Sequence, residues 1–282
     1  MGERFTSDVL SLERNGPVAT LWLDRPQARN ALGPAFWSDL PDAVADLSAD
    51  DGVRAVVLAA RGPDFSVGLD LKAMGGLLVG GTSPEQVEGP VSPASRARSM
   101  RASISAMQRA VSAVAGCPQP VIAAVHGHCL GGGVDLAAAC DMRLASADAV
   151  FSVRETRVAI VADLGSLQRL PRIIGAGHVA ELALTGKDIG ADRALEIGLV
   201  NAVHPDQGAL LEAARDLANE IAANSPLAVQ GTKAVLAAND GRTVAESLDY
   251  VATWNAGMLI SDDLTEAMTA FAQKRPPDFT GR

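Results

Sequence analysis

The stretch PVIAAVHGHCLGGGVDLAAACDMRLAS, residues 120–146, decides the fold of this chain. It begins with Val121–Val125, an uninterrupted apolar run with the length of a buried strand. A glycine triplet follows at residues 131–133, the run at residues 134–139 is typical of a helix, and residues 142–144 again favour a strand. A strand, a helix and a second strand in this order predict an α/β domain.

The glycine triplet leaves backbone N–H groups uncovered at the start of the predicted helix, where the helix dipole favours negative charge. An enolate or a thioester oxygen could bind at such a position. The same triplet would also suit a tight turn or close helix packing, so it does not identify a ligand by itself. The segment matches neither G-x-G-x-x-G nor the P-loop pattern, and a dinucleotide or nucleoside triphosphate site is not expected.

A second segment of the same kind, FSVGLD at residues 65–70, follows a strand predicted at Ala55–Ala60. Further outward, we predict a strand at Val18–Leu23 and a helix that begins at Ser92-Pro93 and ends near Gly116. Residues 73–91, rich in Gly, Ser and Pro, are interpreted as a mobile loop. Beyond residue 205 the pattern becomes almost continuously helical, so we predict an α/β domain over residues 1–205 and a helical region over residues 206–282.

Composition narrows the class of protein. The chain has 282 residues, 48% of them hydrophobic, and a formal net charge of -9, which disfavours binding to nucleic acid or to an anionic membrane surface. No apolar run is long enough for a membrane span. Three cysteines without a pairing pattern indicate a reducing compartment. Because no secretory signal or peroxisomal address is found at the ends either, we predict a cytoplasmic protein.

Several segments together resemble the crotonase, or enoyl-CoA hydratase/isomerase, family. They are Arg25-Pro26 with residues 29–32, FSVGLDL, the stretch at residues 120–146, LTGKDIGADRALEIGLVN and SPLAV at residues 225–229. The resemblance implies a crotonase-like α/β spiral of ββα and βαβ units with a C-terminal helical region. It also implies self-association as a trimer or a dimer of trimers, an acyl-CoA substrate, and no metal or redox cofactor.

The resemblance further implies an oxyanion hole made by two backbone N–H groups, which by motif position belong to Val67 and Gly132. Removal of an α-proton from a thioester places negative charge on the carbonyl oxygen. Two donors already in place stabilise that charge, and one such donor is typically worth about 3 kcal/mol.

Three acids, Asp135, Glu155 and Asp163, are similar in position to those of the Δ3,5-Δ2,4-dienoyl-CoA isomerases. Shifting two double bonds into conjugation with the thioester requires a proton to leave C2 and another to reach C6, so two acids serve better than one. By resemblance, Glu155 is expected to be the base at C2 and Asp163 the acid at C6. Asp135 would orient Glu155 or tune its pKa.

Other interpretations of these acids remain open at this stage. A hydratase of the family would hold one water with two glutamates at the positions of Asp135 and Glu155, but the first is an Asp here. Asp163 could cap the helix predicted to begin there, Asp135 could interact only with a helix dipole, and Glu155 could be solvated. A non-catalytic acyl-CoA binding protein on the same scaffold is a further alternative.

The resemblance also places residues at the coenzyme A site. Arg25, Arg29 and Lys72 are expected to meet the nucleotide phosphates, although solvated surface charge would explain them equally well. Phe271 and Lys274, one helical turn apart, resemble residues that reach the ligand of a neighbouring subunit, and ordinary packing is the alternative. Three residues of the FSVGLD segment are also assigned to this site: Ser66, Gly68 and Asp70. No histidine has metal-ligand spacing, so no metal site is expected.

Overall fold

The computed structural model describes residues 5–75 and 92–282 of the chain. Two sheets form its framework. The larger has six strands in the order β1-β2-β3-β4-β6-β9, and the smaller has three in the order β5-β7-β8. The strands are β1 (Leu10–Asn15), β2 (Val18–Leu23), β3 (Ala55–Ala60), β4 (Val121–Val125), β5 (His128–Leu130), β6 (Met142–Ser146), β7 (Val150–Ser152), β8 (Ile189–Gly190) and β9 (Ala202–His204).

The described helices occur between the strands and after the last one. They are α1 (Pro34–Ser48), α2 (Pro93–Gly116), α3 (Gly132–Ala139), α4 (Ser166–Ile173), α5 (Ala176–Thr185), α6 (Ala191–Glu196), α7 (Gln207–Ala222), α8 (Pro226–Ala238), α9 (Val244–Met258) and α10 (Asp262–Gln273). Short 3-10 helices lie at Pro26–Ala28 and Glu155–Val158.

The central strands of the six-stranded sheet are buried on both faces. Only β1 runs antiparallel to its neighbour, and the other pairings are parallel, as expected for a sheet that is covered by helices on two sides. Every residue of β2, β3 and β4 is accordingly buried. The uninterrupted apolar runs at these positions, rather than alternating ones, are the sequence signature of that double burial.

Helix α7 covers one face of this sheet. Its buried residues Leu210, Ala214, Ala218 and Ala222 recur every four positions and pack against β2, β3, β4 and β6. The change to helices alone after residue 205 is as predicted. The first helix of the predicted C-terminal region nevertheless completes the core of the domain that precedes it.

Gly127 lies where the chain passes from the large sheet to the small one, between β4 and β5. Its φ is +54°, and a Cβ at this position would lie 2.1 Å from the carbonyl oxygen of Pro63, so only glycine fits. This tight turn delivers the chain into β5 and then into the glycine triplet that begins α3.

The α/β core and the helical C-terminal region expected from the sequence are confirmed. Residues 76–91, most of the loop predicted at residues 73–91, lie outside the described residues. In the described ranges, no helix is long and apolar enough to cross a membrane.

Candidate active site

The two glycine segments of the sequence lie side by side. Ser66 pairs with the β5 residue Cys129: the Ser66 N–H donates to the His128 carbonyl at 2.9 Å, and the Leu130 N–H donates to the Ser66 carbonyl at 2.9 Å. Gly68 has a φ of +87°, and a Cβ there would lie 2.7 Å from the Leu130 carbonyl oxygen. This close approach brings the segment FSVGLD against the start of α3.

The backbone N–H of Gly132 faces this junction. Gly132 is the first residue of α3, so its N–H has no partner within the helix, and no other acceptor is found for it in the described part of the chain. It is therefore available to a ligand, as the resemblance implies.

The prediction that the Val67 N–H is the second donor is wrong. Its N–H donates to the carbonyl of Arg29 at 3.2 Å and is not available. Leu69, two residues on, instead forms an isolated parallel bridge with Leu32, in which the Leu32 N–H bonds to Gly68 and the Leu32 carbonyl accepts from Asp70. In parallel pairing these flanking groups take both bonds, so the N–H of Leu69 itself points to the opposite side.

No acceptor for the Leu69 N–H is found among residues 5–75 and 92–282, and Leu69 lines the same cavity as Gly132. Sequence reasoning chose the residue before Gly68 instead of the residue after it. The two residues are distinguished by the bonds that Leu32 makes to Gly68 and Asp70 and by the bond from Val67 to Arg29, and the sequence alone does not reveal these bonds.

Next to these donors lies a cavity of about 480 Å³. One wall is the apolar face of α2, which contributes Met100, Ile104 and Met107. Both Glu155 and Asp163 lie on the cavity wall together with Gly132. The remaining lining is largely apolar and comes from Val67, Gly68, Leu69, Leu71, Leu130, Gly131, Arg154, Val158, Ala159, Ile160 and Leu164.

Glu155 is the first residue of a 3-10 helix and is half-buried. Its Oε2 atom is buried without a hydrogen-bond partner in the described structure. Burial raises the pKa of Glu155 to about 7, and the negative charges of Asp135 and Asp163 add to the rise. A carboxylate with this pKa is suited to take up and release a proton near neutral pH. Because Oε2 is buried, the alternative of a solvated Glu155 does not hold.

Asp163 is also half-buried, and burial raises its pKa above the usual range. It does not cap a helix, since α4 begins three residues later and has Gly165 as its N-cap. The loop that carries Asp163 is held to α2 through its backbone: the side-chain amide of Gln108 donates to the Asp163 carbonyl at 2.7 Å. Asp163 itself is one of the residues that line the cavity.

Asp135 lies behind the cavity wall and does not line it. It is only 1% exposed, and its Oδ1 accepts a 2.5 Å hydrogen bond from the N–H of Ser166, the first residue of α4. Burial raises the pKa of Asp135 to about 6. No hydrogen bond joins Asp135 to Glu155 in the described structure, so it does not orient Glu155; its charge raises the Glu155 pKa across the space between them.

Several residues expected at the coenzyme A site are engaged within the protein. Arg25 forms a 2.7 Å ion pair with Asp70, whose carboxylate also accepts from the N–H groups of Lys72 and Ala73. The Ser66 hydroxyl is fully buried and donates to the Asn30 carbonyl, so it cannot contact a ligand.

The Arg29 guanidinium binds the buried carboxylate of Asp64 at 2.6 Å and contacts His128 at 3.1 Å. The Lys72 side chain, in contrast, is exposed, and no acidic partner is found for it within the described residues. At the far end of the chain, Phe271 is 85% exposed and Lys274 is exposed as well. Neither of these two lies among the residues lining the cavity of this chain.

Among the residues that the structure describes, no group of three or more His, Cys, Asp or Glu side chains is arranged to hold a metal ion. The three cysteines are free and buried. Burial raises the pKa of the Cys140 thiol to about 12, which makes this thiol unreactive.

Within the described residues, the α/β fold brings two free backbone N–H groups, of Gly132 and Leu69, to one cavity that is also lined by two acids. This combination defines an enzyme of the crotonase class. The chain belongs to the enoyl-CoA hydratase/isomerase family, whose model matches residues 13–89 and 91–282. The expected family resemblance is confirmed.

Relatives and solved structures agree with this family assignment. The peroxisomal Delta(3,5)-Delta(2,4)-dienoyl-CoA isomerase of Arabidopsis thaliana is 42% identical over 97% of this chain and 96% of the relative. The mitochondrial enzyme of the same name from Homo sapiens is 42% identical over 92% of this chain and 77% of the relative. The crystal structure of an enoyl-CoA hydratase from Bacillus anthracis superposes with a TM-score of 0.86 at 32% identity and covers 98% of this chain and 100% of its own.

The prediction of a cytoplasmic protein is wrong, because these relatives are named peroxisomal or mitochondrial. Buried, free cysteines are compatible with any reducing compartment, so cysteine content cannot single out the cytoplasm.

Proposed function

We propose that this enzyme converts 3,5-dienoyl-CoA to 2,4-dienoyl-CoA. One observation carries the proposal: Glu155 and Asp163 lie on the wall of one cavity together with Gly132. The isomerisation needs two proton-transfer groups at separate carbons of one acyl chain, and this arrangement provides them. The names of the relatives that are 42% identical support the same reaction.

In the proposed mechanism, the Glu155 carboxylate removes a proton from C2. The electron pair moves into the chain, the double bonds shift from positions 3 and 5 to positions 2 and 4, and Asp163 gives its proton to C6. The N–H groups of Gly132 and Leu69 stabilise the negative charge on the thioester oxygen while C2 is deprotonated. Glu155 then releases the proton it took from C2 to solvent, and Asp163 takes up a proton from solvent to replace the one it gave to C6.

The raised pKa values fit this division of labour. With a pKa of about 7, Glu155 is partly ionised at neutral pH and is a stronger base than a solvated carboxylate. The raised pKa of Asp163 favours a protonated state that can donate. The apolar lining of the cavity suits the acyl chain, and it also excludes the water that would screen these charges.

The coenzyme A moiety is proposed to lie outside this cavity, with Lys72 as the cation available to a phosphate. Arg25 and Arg29 would have to exchange their present partners, Asp70 and Asp64, to bind phosphate, so we propose a smaller contribution from them. No metal or redox cofactor enters the proposed reaction.

We also propose that the enzyme associates as a trimer or a dimer of trimers. Helices α8 to α10 surround a cleft of about 610 Å³, and large apolar side chains on or beside them are exposed: Leu236, Val244, Leu248, Met258, Leu259, Ile260, Met268 and Phe271. Apolar surface of this extent supports burial against another subunit. Phe271 and Lys274 would then reach the ligand of a neighbouring copy, and sedimentation analysis of the purified protein tests the association.

The activity is tested by adding purified protein to a 3,5-dienoyl-CoA and following the ultraviolet absorbance of the conjugated 2,4-diene. We expect the absorbance to rise at a rate proportional to enzyme concentration. No rise together with rapid hydration of a 2-enoyl-CoA would replace the proposal by a hydratase. Tight binding of acyl-CoA with no turnover of either substrate would make the protein a non-catalytic binder.

A further inference from the structure

Arg169, on α4, is a charged group that the proposed mechanism does not use. Its guanidinium folds back toward the start of its own helix, where Nη1 donates to the Leu164 carbonyl at 3.3 Å. Nη2 donates to the Ser112 hydroxyl on α2 at 3.1 Å. The guanidinium occupies the space beside Gly165, where a Cβ would come within 1.7 Å of Nη1. The glycine thus leaves room for the arginine.

This placement is unfavourable unless an anion compensates it. The N-terminus of a helix carries partial positive charge, so a cation there is destabilising. The anion at this helix end is Asp135, which binds the N–H of Ser166, one helical turn before Arg169. The Arg169 guanidinium lies beside Gly165, and the Asp135 carboxylate binds the N–H of the next residue, Ser166, so the two charges lie at the same end of α4. Each charge shifts the pKa of the other group.

The other titratable groups around Asp135 cannot serve as its counter-charge. Asp163 and Glu155 are acids and carry no positive charge. The charge of Asp163 raises the pKa of Asp135, and the charge of Asp135 raises the pKa of Glu155. The thiol of Cys129 is fully buried, and its pKa is raised well above the usual range, so it is neutral. Arg169 is thus the cation that shares the start of α4 with the Asp135 carboxylate, and the two form no direct ion pair within the described residues.

We propose that Arg169 is a positioning residue that acts on Glu155 through Asp135: its guanidinium keeps the buried Asp135 carboxylate ionised, and that negative charge strengthens Glu155 as a base. Arg169 does not line the cavity and does not touch the substrate. Only the effect on catalysis, through Glu155 as the base, rests on the proposed function. The charge relationship itself exists in the protein without substrate.

The test is a pH titration of the Asp135 and Glu155 carboxyl carbons by ¹³C NMR in the full-length protein without ligand. Signals are assigned with the variants Asp135→Asn and Glu155→Gln. In Arg169→Met we expect the Asp135 midpoint to rise by about one pH unit, as for loss of a nearby opposite charge. The Glu155 midpoint should fall by about half a unit, because Asp135 is then neutral over more of the range.

Two further variants separate charge from structure. Arg169→Lys retains the charge and loses the guanidinium geometry, so it should restore both midpoints. Arg172→Met removes a positive charge from the same helix, where Arg172 is exposed and pairs with Asp240, and should move neither midpoint by more than a few tenths. If Arg169→Met only loosened the packing, water would enter and both midpoints would fall, because solvation favours an ionised carboxylate.

The opposite movement of the two midpoints is therefore the result that supports the proposal. An unchanged or lowered Asp135 midpoint in a folded Arg169→Met protein would overturn it. If Arg169→Met does not fold, Arg169→Gln makes the same charge change with a polar end that can still donate to Leu164. If neither neutral variant folds, the role of Arg169 is structural and the proposal fails. Because no substrate is present, these results do not depend on whether the enzyme isomerises dienoyl-CoA.

Discussion

The Asp135 carboxylate accepts a 2.5 Å hydrogen bond from the Ser166 N–H and so ties helix α3 to the start of helix α4. Glu155 and Asp163 are carried by the chain that runs between these two helices. The bond therefore does more than cap α4, because it joins the two ends of the segment that bears both cavity acids. The cost is a carboxyl group that is almost completely buried.

That cost predicts a pH-dependent stability for Asp135→Asn. The Asp135 pKa rises from 3.8 in the unfolded chain to about 6 in the folded one. Between pH 4 and pH 6 the folded state therefore binds this proton more tightly than the unfolded state does. Stability conferred by the protonated group is complete below pH 4 and is lost as pH rises through about 6. Relative to wild type, Asp135→Asn should gain up to about 3 kcal/mol in unfolding free energy between pH 4 and pH 8.

Urea unfolding of both proteins at pH 4, 6 and 8 measures this difference directly. A constant difference across the three pH values would mean that Asp135 does not titrate with a raised pKa in the folded protein.

Replacement of Glu155 by Gln should abolish most of the isomerase activity while acyl-CoA binding persists. Loss of a general base typically lowers the rate about 10²- to 10⁴-fold. In the wild-type enzyme, kcat/KM should increase with pH up to about 7, because Glu155 must lose its proton and its pKa is about 7. Steady-state kinetics from pH 5 to 9 and calorimetric binding of a saturated acyl-CoA test both statements.

Glu196→Gln is a suitable control for this variant, since Glu196 is an exposed residue of α6 that pairs with Arg193. It should keep wild-type activity. Activity of Glu155→Gln within a few fold of the control would remove Glu155 from the mechanism.

The Leu69 N–H can be removed by replacing Leu69 with its α-hydroxy acid, which turns the amide into an ester. If this N–H stabilises the thioester oxygen, kcat should fall about 10²- to 10³-fold. The same exchange at Val67 removes the hydrogen bond to Arg29 instead and should cost about 1 kcal/mol of stability with little loss of kcat. The reverse pattern would restore Val67 as the donor.

Local chemistry made much of this fold predictable from sequence. Continuous apolar runs marked β2, β3 and β4, and Ser92-Pro93 marked the start of α2, where the Ser92 hydroxyl accepts from the Ser95 N–H at 3.2 Å. The short strands β5, β7, β8 and β9 have two or three residues each. They carry too little periodicity to be recognised and depend on tertiary pairing.

The site shows the same division. Glu155 and Asp163 were found by resemblance because their residue types carry the chemistry. The choice between the Val67 and Leu69 N–H groups depends on a pairing with Leu32, more than thirty residues away, which no local pattern encodes. The ion pairs of Arg25 and Arg29 likewise depend on acids that are distant in sequence, Asp70 and Asp64.

The division of labour between two acids is tested most directly by Asp163→Asn in deuterated water with a 3,5-dienoyl-CoA. We predict that Glu155 continues to exchange the C2 hydrogen for deuterium, seen by mass spectrometry, while the absorbance of the 2,4-diene rises at least about a hundredfold more slowly than in wild type. Thermal unfolding should stay close to wild type, since Asp163 caps no helix. Isomerisation at the wild-type rate in this variant, or loss of C2 exchange together with isomerisation in a folded protein, would contradict separate roles for Glu155 and Asp163.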